Sequence, residues 1–412
     1  MTSRRSRRAR LIVSFSAAVT TCLTLASTAS GDPGQDDLAA TPPMGWNSWN
    51  TFGCDINEQL IRDTADAIVA SGMRDAGYRY INIDDCWAEP ERNAEGELEP
   101  HHERFPSGIK AMADYVHDKG LKLGIYTSAG TRTCADTMPG ALGHEEVDAR
   151  TFADWGVDYL KYDNCNNQGV PATERYAAMG EALRATGRPI VYSVCEWGEN
   201  APWEWAPDVG AHLWRTTDDI KPAWDTGNTD DFPMGVVNII DANGKLAEYA
   251  GLGDWNDPDM LEVGVYDVEG YPGLTDTEAV AHFSMWSIMA SPLIAGNDVR
   301  DMPENIQRIL TNREVIAVNQ DALGRQGAPV RDDGDREVWV KELADGSRAV
   351  ALFNRGGEAA TITTTAEEIG AGPAARYVLR DLWTHTETET DGEISAEVPS
   401  HGVTLLRVKP KR

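Results

Sequence analysis

Two rhythms of apolar and polar residues alternate along the first three quarters of this chain. Behind a capping Asn57, the residues Leu60, Ile61, Thr64, Ala65, Ile68 and Val69 recur at helical spacing, and Gly72 and Gly77 close the helix. The run 78–83 that follows reads as a strand and ends in Asp84-Asp85-Cys86-Trp87. The pattern then repeats as helix 109–119 and strand 121–127, helix 145–155 and a strand ending at Asp163, helix 174–186 and strand 190–194. A sixth strand is predicted over 213–217, an irregular seventh over 253–261, and an eighth over 292–295 after the helix 278–289. The first strand belongs to the stretch 41–49.

About eight alternations of strand and helix over roughly 280 residues predict an α/β fold, a (β/α)8 TIM barrel, with a doubly wound open sheet as the structural runner-up. After Gly324 the rhythm changes. Short alternating segments rich in Val, Thr and Leu, at 336–343, 348–353, 361–365, 377–382 and 403–408, predict a small C-terminal antiparallel β-sandwich with a hairpin turn at Asp345-Gly346. The expected domains are a barrel over 38–322 and a sandwich over 325–412. In a barrel, active sites lie at the C-terminal ends of the strands, where most of these segments carry polar residues.

Residues 1–30 follow another pattern: five arginines, an apolar run over 11–25, then small residues. This is the layout of a secretory signal peptide with only a faint twin-arginine character, so the mature chain is expected outside the cell and not in a membrane. Its removal takes five arginines and no acid, moving the net charge from -29 to -34. So acidic a surface repels nucleic acid and anionic lipid and points to a neutral substrate. Five cysteines then remain, an odd number that leaves one thiol unpaired, and no CxxC or HExxH spacing suggests zinc.

The stretch Asp158-Tyr159-Leu160-Lys161-Tyr162-Asp163-Asn164-Cys165 carries the first chemical signal, because the period of two along a strand puts Lys161 and Asp163 on one side. A lysine within salt-bridge reach lowers an aspartate's pKa by roughly 1 to 3 units, which suits a nucleophile. A strand-end ion pair that only holds a loop is the alternative. Taken with Pro43-Met44-Gly45-Trp46-Asn47-Ser48-Trp49, Ile83-Asp84-Asp85-Cys86-Trp87, Cys195-Glu196-Trp197, Trp214-Arg215-Thr216-Thr217-Asp218-Asp219-Ile220 and Asp257-Pro258-Asp259-Met260-Leu261, this stretch closely resembles the family 27 glycoside hydrolases, the α-galactosidases. The resemblance runs from about Thr41 to the C-terminus.

The resemblance implies a retaining exo-acting hydrolase without metal or cofactor, taking α-galactoside oligosaccharides or polysaccharide such as galactomannan. Asp163 would be the nucleophile and Asp219 the acid/base, about 5 to 5.5 Å apart, with ionised Asp163 keeping Asp219 protonated. Asp218 stands where relatives often carry glycine. Asp84 and Asp85 would hold O4 and O6 of galactose, and Trp46 would face the apolar side of the ring, a core tryptophan being the alternative. Lys161, Arg215 and the Cys195-Glu196-Trp197 region would reach O2 and O3, with Glu196 alternating away from Cys195. Tyr126, Cys134 and Met260 would line the pocket. The implied disulfides are Cys54–Cys86 and Cys134–Cys165, with Cys195 free. The alternatives are a metal site at Asp84, Asp85, Asp257 and Asp259, a β-L-arabinopyranosidase, an α-N-acetylgalactosaminidase disfavoured by Cys195-Glu196-Trp197, and a non-catalytic lectin.

Overall fold

Helical and extended segments form where the apolar rhythm demands them in this computed structural model, which describes residues 38–229 and 231–411. The expected signal peptide lies outside the described residues. Asn57 caps the helix Glu58–Ala70 by accepting the Leu60 N–H, and Leu60, Ile61, Thr64, Ala65 and Ile68 form its buried face. The eight strands are β1 Met44–Asn47, β2 Tyr80–Asn82, β3 Lys122–Ser128, β4 Tyr159–Asp163, β5 Val191–Cys195, β6 Leu213–Arg215, β7 Trp255–Asp257 and β8 Leu293–Ala295. They form one sheet in the order β7-β6-β5-β4-β3-β2-β1-β8, with every pair parallel.

The ends of that sheet meet just past β7. Leu261 donates its N–H to the Ile294 carbonyl at 2.8 Å and forms a parallel bridge with Ala295. Between β7 and this bridge stand Pro258, which has no N–H to offer a ladder, and Asp259 at φ +76°. The irregular rhythm at the seventh position is therefore the closure of the barrel itself. Among the described residues no helix is long and apolar enough to cross a membrane.

The C-terminal strands are β9 Ala328–Asp332, β10 Arg336–Glu342, β11 Arg348–Asn354, β12 Ala360–Thr365, β13 Tyr377–Asp381, β14 Glu387–Thr390, β15 Glu393–Val398 and β16 Gly402–Pro410. Six make an antiparallel sheet in the order β14-β13-β16-β11-β10-β9, and β12 pairs with β15 in a second sheet. Alternate residues of β11 serve two cores: Val350 and Leu352 pack with Ile362, Ile394 and Val398 of the second sheet, whereas Ala349, Ala351 and Phe353 join the barrel core. Burial on both faces is why β11 is apolar from Ala349 to Phe353. The sequence pattern missed β9, β14 and β15. The first two are the sheet's edges and are largely exposed, so they carry no apolar alternation.

Candidate active site

The strand ends supply a cluster of buried charges, and sharp turns aim them. Cys86 at φ +76°, Trp197 at +60° and Asp259 at +76° each follow a strand end in the left-handed region, a cost that non-glycine residues bear mainly at functional sites. Asp84 is 1% exposed and accepts from Asn47 Nδ2 at 2.7 Å, from Lys161 Nζ at 2.9 Å and from the Asp85 N–H at 2.9 Å. Asp85, equally buried, accepts the N–H groups of Cys86 at 2.7 Å and Ala135 at 2.8 Å; burial still pushes its carboxyl above the usual range.

Lys161 therefore pairs with Asp84, which corrects the expectation that its partner is Asp163. The spacing Lys-x-Asp puts both side chains on one face, but the nearer carboxylate comes from a different strand. Asp163 is buried and accepts the Asn164 N–H at 2.9 Å. Burial raises its pKa to about 6, outweighing the downward pull of Lys161, while the charge of Asp219 pushes it further up. The net shift at Asp163 is therefore upward, against the lowering expected from a lysine alone.

Asp219 shows the opposite balance. Its side chain is 42% exposed and meets Arg215 Nη2 at 3.0 Å. Burial raises its pKa, but Arg215, Lys161 and Lys221 outweigh that and hold it below the ordinary value. The net shift at Asp219 is therefore downward, against the direction a general acid calls for. Arg215 is pinned from several sides: its Nη2 also meets Asp259 Oδ2 at 3.1 Å and the Thr217 carbonyl at 3.0 Å, and its Nη1 lies 3.6 Å from the Cys195 sulfur.

Several of the other candidate residues lie around this cluster, and two, Trp46 and Glu196, are placed differently from the expectation. Tyr126 sits in register with Lys161, whose ammonium lies 5.3 Å from its ring centre. Lys161, Cys195, Arg215 and Met260 line one small cavity at the barrel axis. Cystines join Cys54 to Cys86 and Cys134 to Cys165, and Cys195 is free and buried. Through the second bridge, the sulfurs of Cys134 and Cys165 lie within 4.8 Å of an Asp163 carboxylate oxygen. Trp46 has no exposed surface and donates its indole N–H to the Asn297 carbonyl at 2.8 Å, so it forms a wall of the core and not an open platform. Trp197, half-buried, lines a cleft of about 980 Å³ outside β5 and β6.

Glu196 is corrected as well: it accepts from the side chain and N–H of Asn200, the N–H at 3.0 Å, which fixes the turn after β5. Alternation along the strand sends its side chain to the opposite side from Cys195. Sequence reasoning missed Asn47 as a partner of Asp84 and Asp259 as a partner of Arg215. Asp84 and Asp259, two of the aspartates of the metal alternative, each accept from a cation, Lys161 and Arg215.

Comparison with known proteins agrees with this arrangement. The family profile described as alpha galactosidase A matches residues 41–321, and the one for the alpha galactosidase C-terminal beta sandwich domain matches 333–408. An α-galactosidase of Cyamopsis tetragonoloba is 51% identical over 378 residues, covering 92% of this chain and 88% of the relative. The crystal structure of α-galactosidase I from Mortierella vinacea superposes with a TM-score of 0.87 at 40% identity, covering 91% of this chain and 98% of that one. The α-galactosidase of Saccharomyces cerevisiae solved with raffinose gives a TM-score of 0.85 at 33% identity, covering 92% of this chain and all of its own, 100%. The chain belongs to the family 27 glycoside hydrolases, the α-galactosidases.

Proposed function

We propose that this chain is an exported, retaining exo-α-galactosidase that releases terminal α-D-galactosyl residues from galacto-oligosaccharides or galactomannan. The observation that carries the reading is the placement of two carboxyls at neighbouring strand ends, Asp163 closing β4 and Asp219 four residues past β6, both in the field of Lys161. Two carboxyls with separated proton affinities are what glycoside hydrolysis requires. In the first step Asp163 attacks the anomeric carbon, the glycosidic C–O bond breaks, and Asp219 gives its proton to the departing oxygen. In the second, water attacks the same carbon, Asp219 takes the water's proton, and the bond to Asp163 breaks.

The single proton held by this pair rests mainly on Asp163 before binding. A glycosidic oxygen placed against Asp219 accepts a hydrogen bond from its protonated form, and this favours the arrangement that reacts. Asp84 and Asp85 support galactose as the sugar. Both are aspartates, where a larger acid in one position would favour the β-L-arabinopyranoside reading. The leader-like N-terminus and two cystines support export. An NMR time course tests the stereochemistry: α-galactose appears first, and β-galactose as first product would overturn the assignment of Asp163 as nucleophile.

A further inference from the structure

The carboxylate of Asp163 is held from its own backbone and from the next residue in the chain. Its Oδ1 accepts the N–H of Asn164 at 2.9 Å, and its main-chain carbonyl accepts the N–H of Ala129 at 2.7 Å. Both donors belong to residues fixed by one buried cation. Arg175, 3% exposed on the helix Ala172–Thr186, donates from Nη2 to the Asn164 side-chain oxygen at 2.8 Å, from Nη1 to the Ala129 carbonyl at 3.1 Å and from Nε to the Val170 carbonyl at 2.8 Å. All three acceptors are uncharged oxygens, so what this guanidinium supplies is the fixed geometry of its planar fork of donors.

The other end of the Asn164 amide is fixed as well. Its Nδ2 donates to Glu199 Oε2 at 2.9 Å, on the segment that follows β5. An amide with its oxygen on a guanidinium and its nitrogen on a carboxylate has a single orientation. Asn164 is 1% exposed, and this clamp leaves its backbone N–H aimed at Asp163. The torsion that turns an aspartate carboxylate is broad and two-fold, so an unrestrained carboxylate presents either oxygen over a wide range of angles. Attack on carbon needs one oxygen in line, and a donor held on the other removes that freedom.

We propose that Asn164, clamped between Arg175 and Glu199, is a positioning residue that fixes Oδ1 of Asp163 and presents Oδ2 as the atom that attacks the anomeric carbon. The proposal rests on the reading of Asp163 as the nucleophile, and deepens it by assigning the reacting oxygen and the side chains that orient it. As Oδ2 bonds to the carbon and the glycosidic C–O bond breaks, Oδ1 becomes the carbonyl oxygen of the ester and keeps its N–H donor. When water attacks and Asp219 takes its proton, the electron pair of the Oδ2–carbon bond returns to the carboxylate.

Two readouts in the full-length enzyme separate orientation from sugar binding and from folding. 5-Fluoro-α-galactosyl fluoride forms the ester faster than it loses it, so its inactivation rate reports the attack of Asp163 and its label marks the nucleophile. Asn164→Ala should lower that rate, and kcat for nitrophenyl α-galactoside, about 10- to 100-fold with KM within about 3-fold, because Asp84 and Asp85 are untouched. Glu199 is exposed, so Glu199→Ala releases the amide without disturbing the core. It should lower both rates about 3- to 10-fold, and Glu199→Gln, which still offers an oxygen, should restore them. The double variant of Asn164→Ala and Glu199→Ala should lose no more than Asn164→Ala alone, because both act through the same amide. Rates within about 2-fold of wild type in Asn164→Ala or in Glu199→Ala would overturn the proposal, as would a loss confined to KM. A label found by peptide mass spectrometry on a residue other than Asp163 in the wild type would instead overturn the nucleophile assignment on which it rests.

Discussion

Two lysines are buried in this molecule under opposite conditions, one at the mouth of the barrel and one at the seam with the sandwich. Lys161 has 16% of its side chain exposed and meets Asp84 at 2.9 Å; burial pulls its pKa down, but Asp84 and Asp163 outweigh burial and hold it well above the ordinary value. Lys341 is 1% exposed, and its Nζ has no hydrogen-bond partner among the described residues. It lies on the barrel-facing side of β10 with Trp339, its Cβ close to Gly327 at the end of the helix Asp276–Ile288. Burial lowers its pKa to about 7, with Asp321 offsetting little of the effect. Burial is common to both sites, so the partner decides which protonation state survives. At the mouth, charge is held in place for use; at the seam, the same side chain survives by giving up its proton.

The largest effect should come from the charge that the mouth holds least comfortably. Asp163→Asn should lower turnover by about 10⁴-fold or more with every leaving group. It should also stabilise the fold above pH 6. The folded pKa of about 6 lies above the unfolded value near 3.9, so the native state binds more protons between them and stability falls as pH rises through that window. Thermal melts should put Asp163→Asn above wild type by about 1 to 3 kcal/mol at pH 7, with the gap closing below pH 4. A destabilised variant at pH 7 would mean that the Asp163 charge is well compensated.

Substituting each lysine by methionine breaks the comparison directly. Lys161→Met leaves Asp84 buried without its cation and should cost about 3 to 5 kcal/mol along with most activity. Lys341→Met should do the reverse and stabilise by about 2 to 4 kcal/mol at pH 7. The unfolded lysine binds its proton below about pH 10.4 and the folded one only below about 7, so stability is lost as pH falls through that interval. The advantage of Lys341→Met should accordingly shrink toward pH 10.5 in denaturant titrations. Equal advantage at both pH values would point to packing and not charge.

Much of this was legible in the chain and some was not, for identifiable reasons. The barrel strands were readable because most are short apolar runs ending in polar residues, and β4 and the helix Glu145–Trp155 fall where the rhythm puts them. β14, reading Glu387-Thr388-Glu389-Thr390, has no buried face to advertise it. At the site, the motifs place candidate side chains at strand ends, but the partner of Lys161 is set by the packing of β4 near β2, which no local spacing encodes. The opposite shifts of Asp163 and Asp219 were unreadable for the same cause: they depend on which of the two is the more buried and which meets Arg215.

Lys221 gives the smallest, sharpest test. It is paired with Glu269 at 2.6 Å near the rim, and its charge is one of those that lower the pKa of Asp219. The reactive free enzyme carries one proton on the Asp163–Asp219 pair, and kcat/KM falls on the alkaline side as that proton leaves. Removing the cation makes Asp219 hold a proton more readily, so Lys221→Met should move the alkaline limb to higher pH, while Lys221→Arg should leave it in place. The midpoint of the limb does not depend on how tightly the leaving group binds. A limb that stays put in Lys221→Met would mean that the pair's proton is set by Arg215 and Lys161 alone.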